Sequence, residues 1–302
     1  MNLRHVLRVN ARMILEIFEA GRRAADGDFE QCLIFATISA ANNGHVDDDP
    51  LLAQAFAGKT VPDDMRRPIR MLRISESLGL ARETTRVKVG HLVRKGLVTK
   101  TPGGLFIPAG VTTGGQLDAM FDAYIRSVAK AVDCLAAAGA AGLARDERLG
   151  GNIEDWRWGV VRNVAHHALR GVADLIHYVQ PDNLIEAYLF LAVLDHAGAH
   201  LSAPGRVLYP DHLDYPPLAE RRTITASGLA SVMGIPRETV RRNLIALVNK
   251  GLIYKSPEGF GLPIIDSEAG RRADRVVQMS SMADMVRLVR RLRDIGAIAR
   301  IA

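Results

Sequence analysis

At 302 residues, 48% apolar and 24% charged, the chain has room for one or two globular domains and is too balanced for disorder or a fibrous repeat. Its net charge of +6 and pI near 9.5 permit a nucleic-acid or other anionic partner without requiring one, while 5% aromatics is too few for a platform that stacks single-stranded bases. Apolar stretches such as 135–144 are short and broken by glycine, so no membrane span is expected; the arginine-dotted N-terminus lacks a signal core, and Cys32 and Cys134 read as buried thiols of a reducing cytosol.

In chain order, Val6, Val9, Met13, Ile14 and Ile17 predict a helix over 4–24, followed by a second over 28–42 and a polar loop over 42–50. A short strand follows near 69–71, a short helix over 74–79 and a longer one over 82–95. Strands over 98–100 and 105–107 flank the turn Thr101-Pro-Gly-Gly104. A long helix over 116–137 closes this half, and 148–155 reads as a joint. Beyond it come a strand at 223–225, helices over 227–233 and 237–250, a hairpin about 256–259 and a helix over 271–294.

The second half repeats the first. A gapless shift of 155 residues sets Gly79-Leu-Ala-Arg-Glu-Thr-Thr-Arg86 on Gly234-Ile-Pro-Arg-Glu-Thr-Val-Arg241, with 14 identities in the 30 residues from Gly79. Two copies tile the chain, 1–147 and 156–302, with the distinctive motif at about 66–108 and 221–263.

Short helix, glycine turn, second helix and two-stranded hairpin make a winged helix-turn-helix pattern, so the expected fold is mainly α with small β-hairpin wings, internally duplicated. In the second helix Thr85, Val89, Leu92 and Val93, and their counterparts Val240, Leu244, Leu247 and Val248, form the core-facing stripe. Arg82, Glu83, Arg86, Val87 and Gly90 lie opposite, as do Arg237, Glu238, Arg241, Arg242 and Ile245. The run Arg-Glu-Thr-Val-Arg-Arg at 237–242, followed by Leu-x-x-Leu and Lys-Gly-Leu-Ile, resembles the winged-helix domains of bacterial transcription regulators. The nearest echoes are the C-terminal domain of the Crp/Fnr family and the N-terminal domain of the GntR family. That resemblance implies that Arg237, Glu238 and Arg242 face bases and that Thr239 lies near phosphate. It carries over to Arg82, Glu83 and Thr84 in the first copy and fails at Val87, which stands where the second copy has Arg242. Arg86, Lys88 and Lys100, with Arg241 and Lys255, complete the expected DNA-binding set. No cyclic-nucleotide β-roll or GntR effector domain accompanies the motif.

Charge concentrates on the motifs. Residues 66–100 hold ten Lys/Arg against Glu76 and Glu83, and 221–255 hold seven against Glu238, as phosphate neutralisation requires. Asp195, His196 and His200 have metal-ligand spacing, but only His200 has a counterpart (His45), so a helix-end role is expected. His166 and His167 read as core or cap residues, Asp47–Asp49 as a solvated turn, and Trp156 and Trp158 as packing between the halves. No metal, cofactor or catalytic constellation is expected. The chain reads as a cytoplasmic, nucleoid-associated transcriptional regulator. It would bind double-stranded DNA through two winged helices, as a single-chain pseudo-dimer or as a homodimer using one motif from each chain. A plasmid or phage replication or partition protein and a winged-helix interaction scaffold are the alternatives.

Overall fold

The computed structural model describes residues 2–203, 206–211 and 213–300. The chain is mainly helical, with small antiparallel strand pairs. Its helices are α1 (Leu3–Ala24), α2 (Phe29–Asp48), α3 (Pro50–Ala55), α4 (Met71–Leu78), α5 (Arg82–Arg94), α6 (Ala109–Thr113), α7 (Asp118–Ala137), α8 (Arg157–Val179), α9 (Leu184–Gly198), α10 (Ala226–Met233), α11 (Arg237–Asn249) and α12 (Glu268–Asp294). The strands are β1 (Thr99–Thr101), β2 (Gly104–Phe106), β3 (Glu147–Leu149), β4 (Ser202–Ala203), β5 (Arg206–Val207), β6 (Tyr254–Ser256), β7 (Gly259–Gly261) and β8 (Ile298–Arg300). They pair as β1–β2, β3–β8, β4–β5 and β6–β7. The strands expected at 69–71 and 223–225 shrink to single bridges, Ile69 to Leu105 and Ile224 to Phe260.

Two compact units emerge, and they differ from the sequence halves 1–147 and 156–302. Unit 1 is Met1–Glu16, Lys130–Glu147 and Gly171–Arg287; unit 2 is Ile17–Ala129, Arg148–Arg170 and Leu288–Ala302. Each unit combines the middle of one copy with the ends of the other, and the 155-residue shift carries one arrangement onto the other. Of the five crossing points, four fall inside α1, α7, α8 and α12 and the fifth inside β3. These helices have 20 to 27 residues, ~30–40 Å at ~1.5 Å per residue.

In unit 2, α2 is the central helix. Asp28 caps it by accepting from the Gln31 N–H, and Leu33, Ile34 and Ile38 are fully buried. The polar loop expected over 42–50 is instead the last two turns of α2 and the start of α3. Asn42 is buried, donates to the Arg67 and Leu105 carbonyls at 2.8 and 3.3 Å, and accepts from the Ile107 N–H at 2.9 Å. Its polarity is spent fastening the hairpin to the helix. The expected solvated turn at Asp47 is also corrected. Its carboxylate is buried, 2.9 Å from the Arg162 guanidinium, while Asp49 caps α3. Trp158, from the second copy, meets Phe121, from the first, edge-on at 5.4 Å inside this unit.

In unit 1, α9 is the central helix, capped by Asn183 and buried at Tyr188, Leu189, Leu191 and Val193. The stretch Leu184–Leu201 has a mean hydropathy of 1.3 over 18 residues. Only its length and composition resemble a membrane span: it carries Glu186 and Asp195, and 67% of it is buried within the protein. Such a run is what a core helix covered on all sides reads like. His196 and His200 sit near its end, and each donates from Nε2 to a backbone carbonyl, of Thr223 and Glu220 at 3.1 and 2.9 Å.

Candidate nucleic-acid interface

The same local architecture occurs once in each unit. In unit 2, α4 ends at Gly79 in the left-handed conformation (φ 64°), the chain reverses, and α5 packs its buried Thr85, Val89 and Leu92 against α2 and α4. In unit 1, α10 ends at Gly234 (φ 58°), and α11 packs Val240, Leu244 and Leu247 against α9 and α10. A left-handed residue costs an L side chain about 1 kcal/mol or more, which is why glycine stands at the reversal. Val93 and Val248, read as part of the inward stripe, are only half-buried.

The hairpins follow at the same spacing. Lys100 pairs with Leu105, and Lys255 with Phe260; both lysines are exposed, and their partners are buried. Gly104 and Gly259 sit at φ 136° and 141° because a Cβ there would lie 2.5 Å from the Ile69 carbonyl oxygen and 2.6 Å from that of Ile224. The single bridges Ile69 to Leu105 and Ile224 to Phe260 bring the backbone that close. Arg66 and Arg221 fasten the far side. Arg66 donates to the carbonyls of Val61 and Ile107, and Arg221 to those of Pro216, Leu262 and Pro263.

The exposed face of α5 and α11 carries the residues singled out from sequence. Arg82, Arg237 and Arg242 are exposed and make no ion pair among the described residues; Thr84 and Thr239 are half-buried. Arg86 and Arg241 each grip the glutamate three residues earlier with two hydrogen bonds, of 2.6–2.8 Å to Glu83 and 2.7–2.9 Å to Glu238. Those guanidinium groups hold both carboxyls below the usual range, chiefly through the hydrogen bonds. Val87, where the second copy has Arg242, is 53% exposed.

Lys88 departs from its expected place at the interface. It is half-buried, with its ammonium 2.5 Å from Asp28 and 3.2 Å from Glu30. The equivalent Asn243 accepts from the side chain of Asn183, the equivalent cap, at 2.8 Å. Position 88/243 ties the second helix to the cap of the central one. Lys95 and Lys250 do the same further along, to Asp26 and to Glu186 and Asp182. Those acids lie outside the two basic segments, so a tally confined to the segments missed them. Of the seventeen basic residues there, nine are exposed and make no ion pair among the described residues: Arg67, Arg70, Arg82, Arg94, Lys100, Arg222, Arg237, Arg242 and Lys255. The sequence marks Arg67, Arg70, Arg94 and Arg222 as charge without marking them as contacts.

No protein-family model, curated protein or solved structure matches this chain.

Proposed function

We propose that the two motifs are winged helix-turn-helix modules and that the chain binds double-stranded DNA as a sequence-specific regulator. The observation that carries this reading is the recurrence, 155 residues apart, of an exposed helix face bearing arginines with no ion-pair partner, next to a hairpin bearing an exposed lysine. A helix of ~10–12 Å diameter fits the major groove, where arginine reads guanine O6 and N7 while other basic groups meet phosphate. Arg237 and Arg242 are the base readers of the second module. Arg82 is the counterpart of Arg237, and exposed Val87 offers only an apolar contact of the kind made with a thymine methyl. The second module therefore specifies more of the site than the first, and a single chain brings two DNA-facing modules.

Selection of bound duplexes from a random pool identifies the site. Arg237→Ala and Arg242→Ala should then each weaken specific binding by about 1–3 kcal/mol while changing binding to random duplex far less. Unchanged affinity of both folded variants for the selected site removes the assignment of α11 as the reading helix.

A further inference from the structure

A cavity of about 290 Å³ lies within unit 1. It stands at the lower edge of the ~300–1,000 Å³ typical of small-molecule sites. The two cavities described in unit 2 hold only about 40 Å³ each. Its walls are largely apolar, with Leu7, Phe190, Leu194, Leu252, Leu262 and Val277 among them.

The polar lining is cationic. Arg4, Arg8 and Arg221 line the cavity with one carboxylate, Asp274. Asp274 is already engaged: it accepts from Arg4 at 2.9 Å, from the Tyr215 hydroxyl at 2.8 Å and from Gln278 at 2.9 Å, while the Arg4 guanidinium stacks 4.0 Å over the Tyr215 ring. Arg221 is spent on carbonyls. Arg8 is not so balanced. Only 6% exposed, it passes its stem over Gly198, where a Cβ would lie 3.0 Å from its Cδ, and donates from Nη2 to the carbonyls of Leu208 and Tyr209. Its Nε and Nη1 are buried with no hydrogen-bond partner among the described residues. Burial and the nearby positive charge of Arg4 push the group down to about 10. Leaving charged donors unsatisfied in a buried place is costly, and an anion in the cavity relieves both the missing bonds and the crowding of positive charge.

The repeat supplies an internal comparison. The positions equivalent to Arg4, Arg8, Tyr215 and Asp274 are Gly159, Asn163, Thr60 and Ala119, whereas Arg221 has its counterpart in Arg66. Arg66 and Arg221 belong to the scaffold of both units. The other four are particular to the unit with the large cavity, so the scaffold does not need them.

We propose that this cavity binds a small amphipathic monocarboxylate, its carboxylate on Arg8 and its hydrocarbon body against the apolar wall. The proposal is independent of DNA binding and is tested without DNA. The probe is octanoate, titrated into the full chain by calorimetry and thermal shift beside octanol and inorganic phosphate. One octanoate per chain, a rise in Tm of a few degrees at saturating ligand, and no comparable rise with octanol or phosphate are expected. Arg8→Met should weaken octanoate binding at least ~10-fold by removing the charge-assisted contact. Val277→Phe, at a half-buried position, narrows the cavity with the arginine intact and should weaken it similarly. No binding of octanoate overturns the proposal, as does an equal response to octanol or to phosphate. Undiminished binding in both folded variants overturns it as well.

Discussion

The salt dependence of the proposed DNA binding gives the sharpest test of the candidate interface, because the structure separates basic groups that sequence cannot. If all seventeen Lys/Arg of the two segments met phosphate, log K would fall against log salt with a slope of ~ −15; nine free groups set a ceiling of ~ −8. The perturbation is a pair of single substitutions. Lys255 is exposed on the second hairpin and makes no ion pair, so Lys255→Ala should leave stability within ~0.5 kcal/mol and flatten the slope by ~1. Between 50 and 200 mM salt that single contact is worth about threefold in affinity. Lys88 is held by Asp28 and Glu30, so Lys88→Ala should leave the slope unchanged. It should also lower stability by about 1 kcal/mol, because it sets two carboxylates side by side without their cation. Fluorescence anisotropy on one random-sequence duplex over a salt series, with urea unfolding of each variant, measures both quantities. A slope well beyond −8 in the unmodified protein, or equal flattening by the two substitutions, would refute this sorting of the charges.

Three further outcomes follow from the packing. Asp47→Ala leaves Arg162 buried without its carboxylate and should cost about 3–5 kcal/mol in urea unfolding. Gly259→Val forces a Cβ toward the Ile224 carbonyl at φ 141° and should cost at least ~1–3 kcal/mol, weakening DNA binding through the second hairpin while far-UV circular dichroism stays helical. Burial holds His5, which bonds Ser202 at 3.0 Å, down at about 4 from its ordinary 6.5. Between those values the unfolded chain binds the proton and the folded chain does not, so stability falls as pH drops through that window. The contribution reaches about 3 kcal/mol by pH 4. Urea midpoints from pH 7 to 4 should show that fall, and His5→Asn should reduce it; an undiminished fall in that variant would show that other groups carry it.

Periodicity and punctuation reached the local elements because those depend on neighbours along the chain. The reversals at Gly79 and Gly234, the buried stripes Thr85-Val89-Leu92 and Val240-Leu244-Leu247, and the hairpins about 101–104 and 256–259 were all legible, their ends shifted by a residue or two. The repeat placed equivalent positions before any fold was seen. What lay beyond reach depends on partners distant in sequence. Asn42 and Asp47 look like loop residues until the carbonyl of Arg67 and the guanidinium of Arg162 arrive to satisfy them inside the fold, and Lys88 looks like a phosphate contact until Asp28 and Glu30 claim it. The same holds for the exchange of ends between the copies. A sequence repeat states which residues are equivalent, but not which ends join which middle segment in one compact unit, and only the tertiary structure decides that. The cavity is the extreme case: Arg8, Tyr215 and Asp274 come from three distant stretches of chain, and nothing in the local pattern of any one of them marks a shared site.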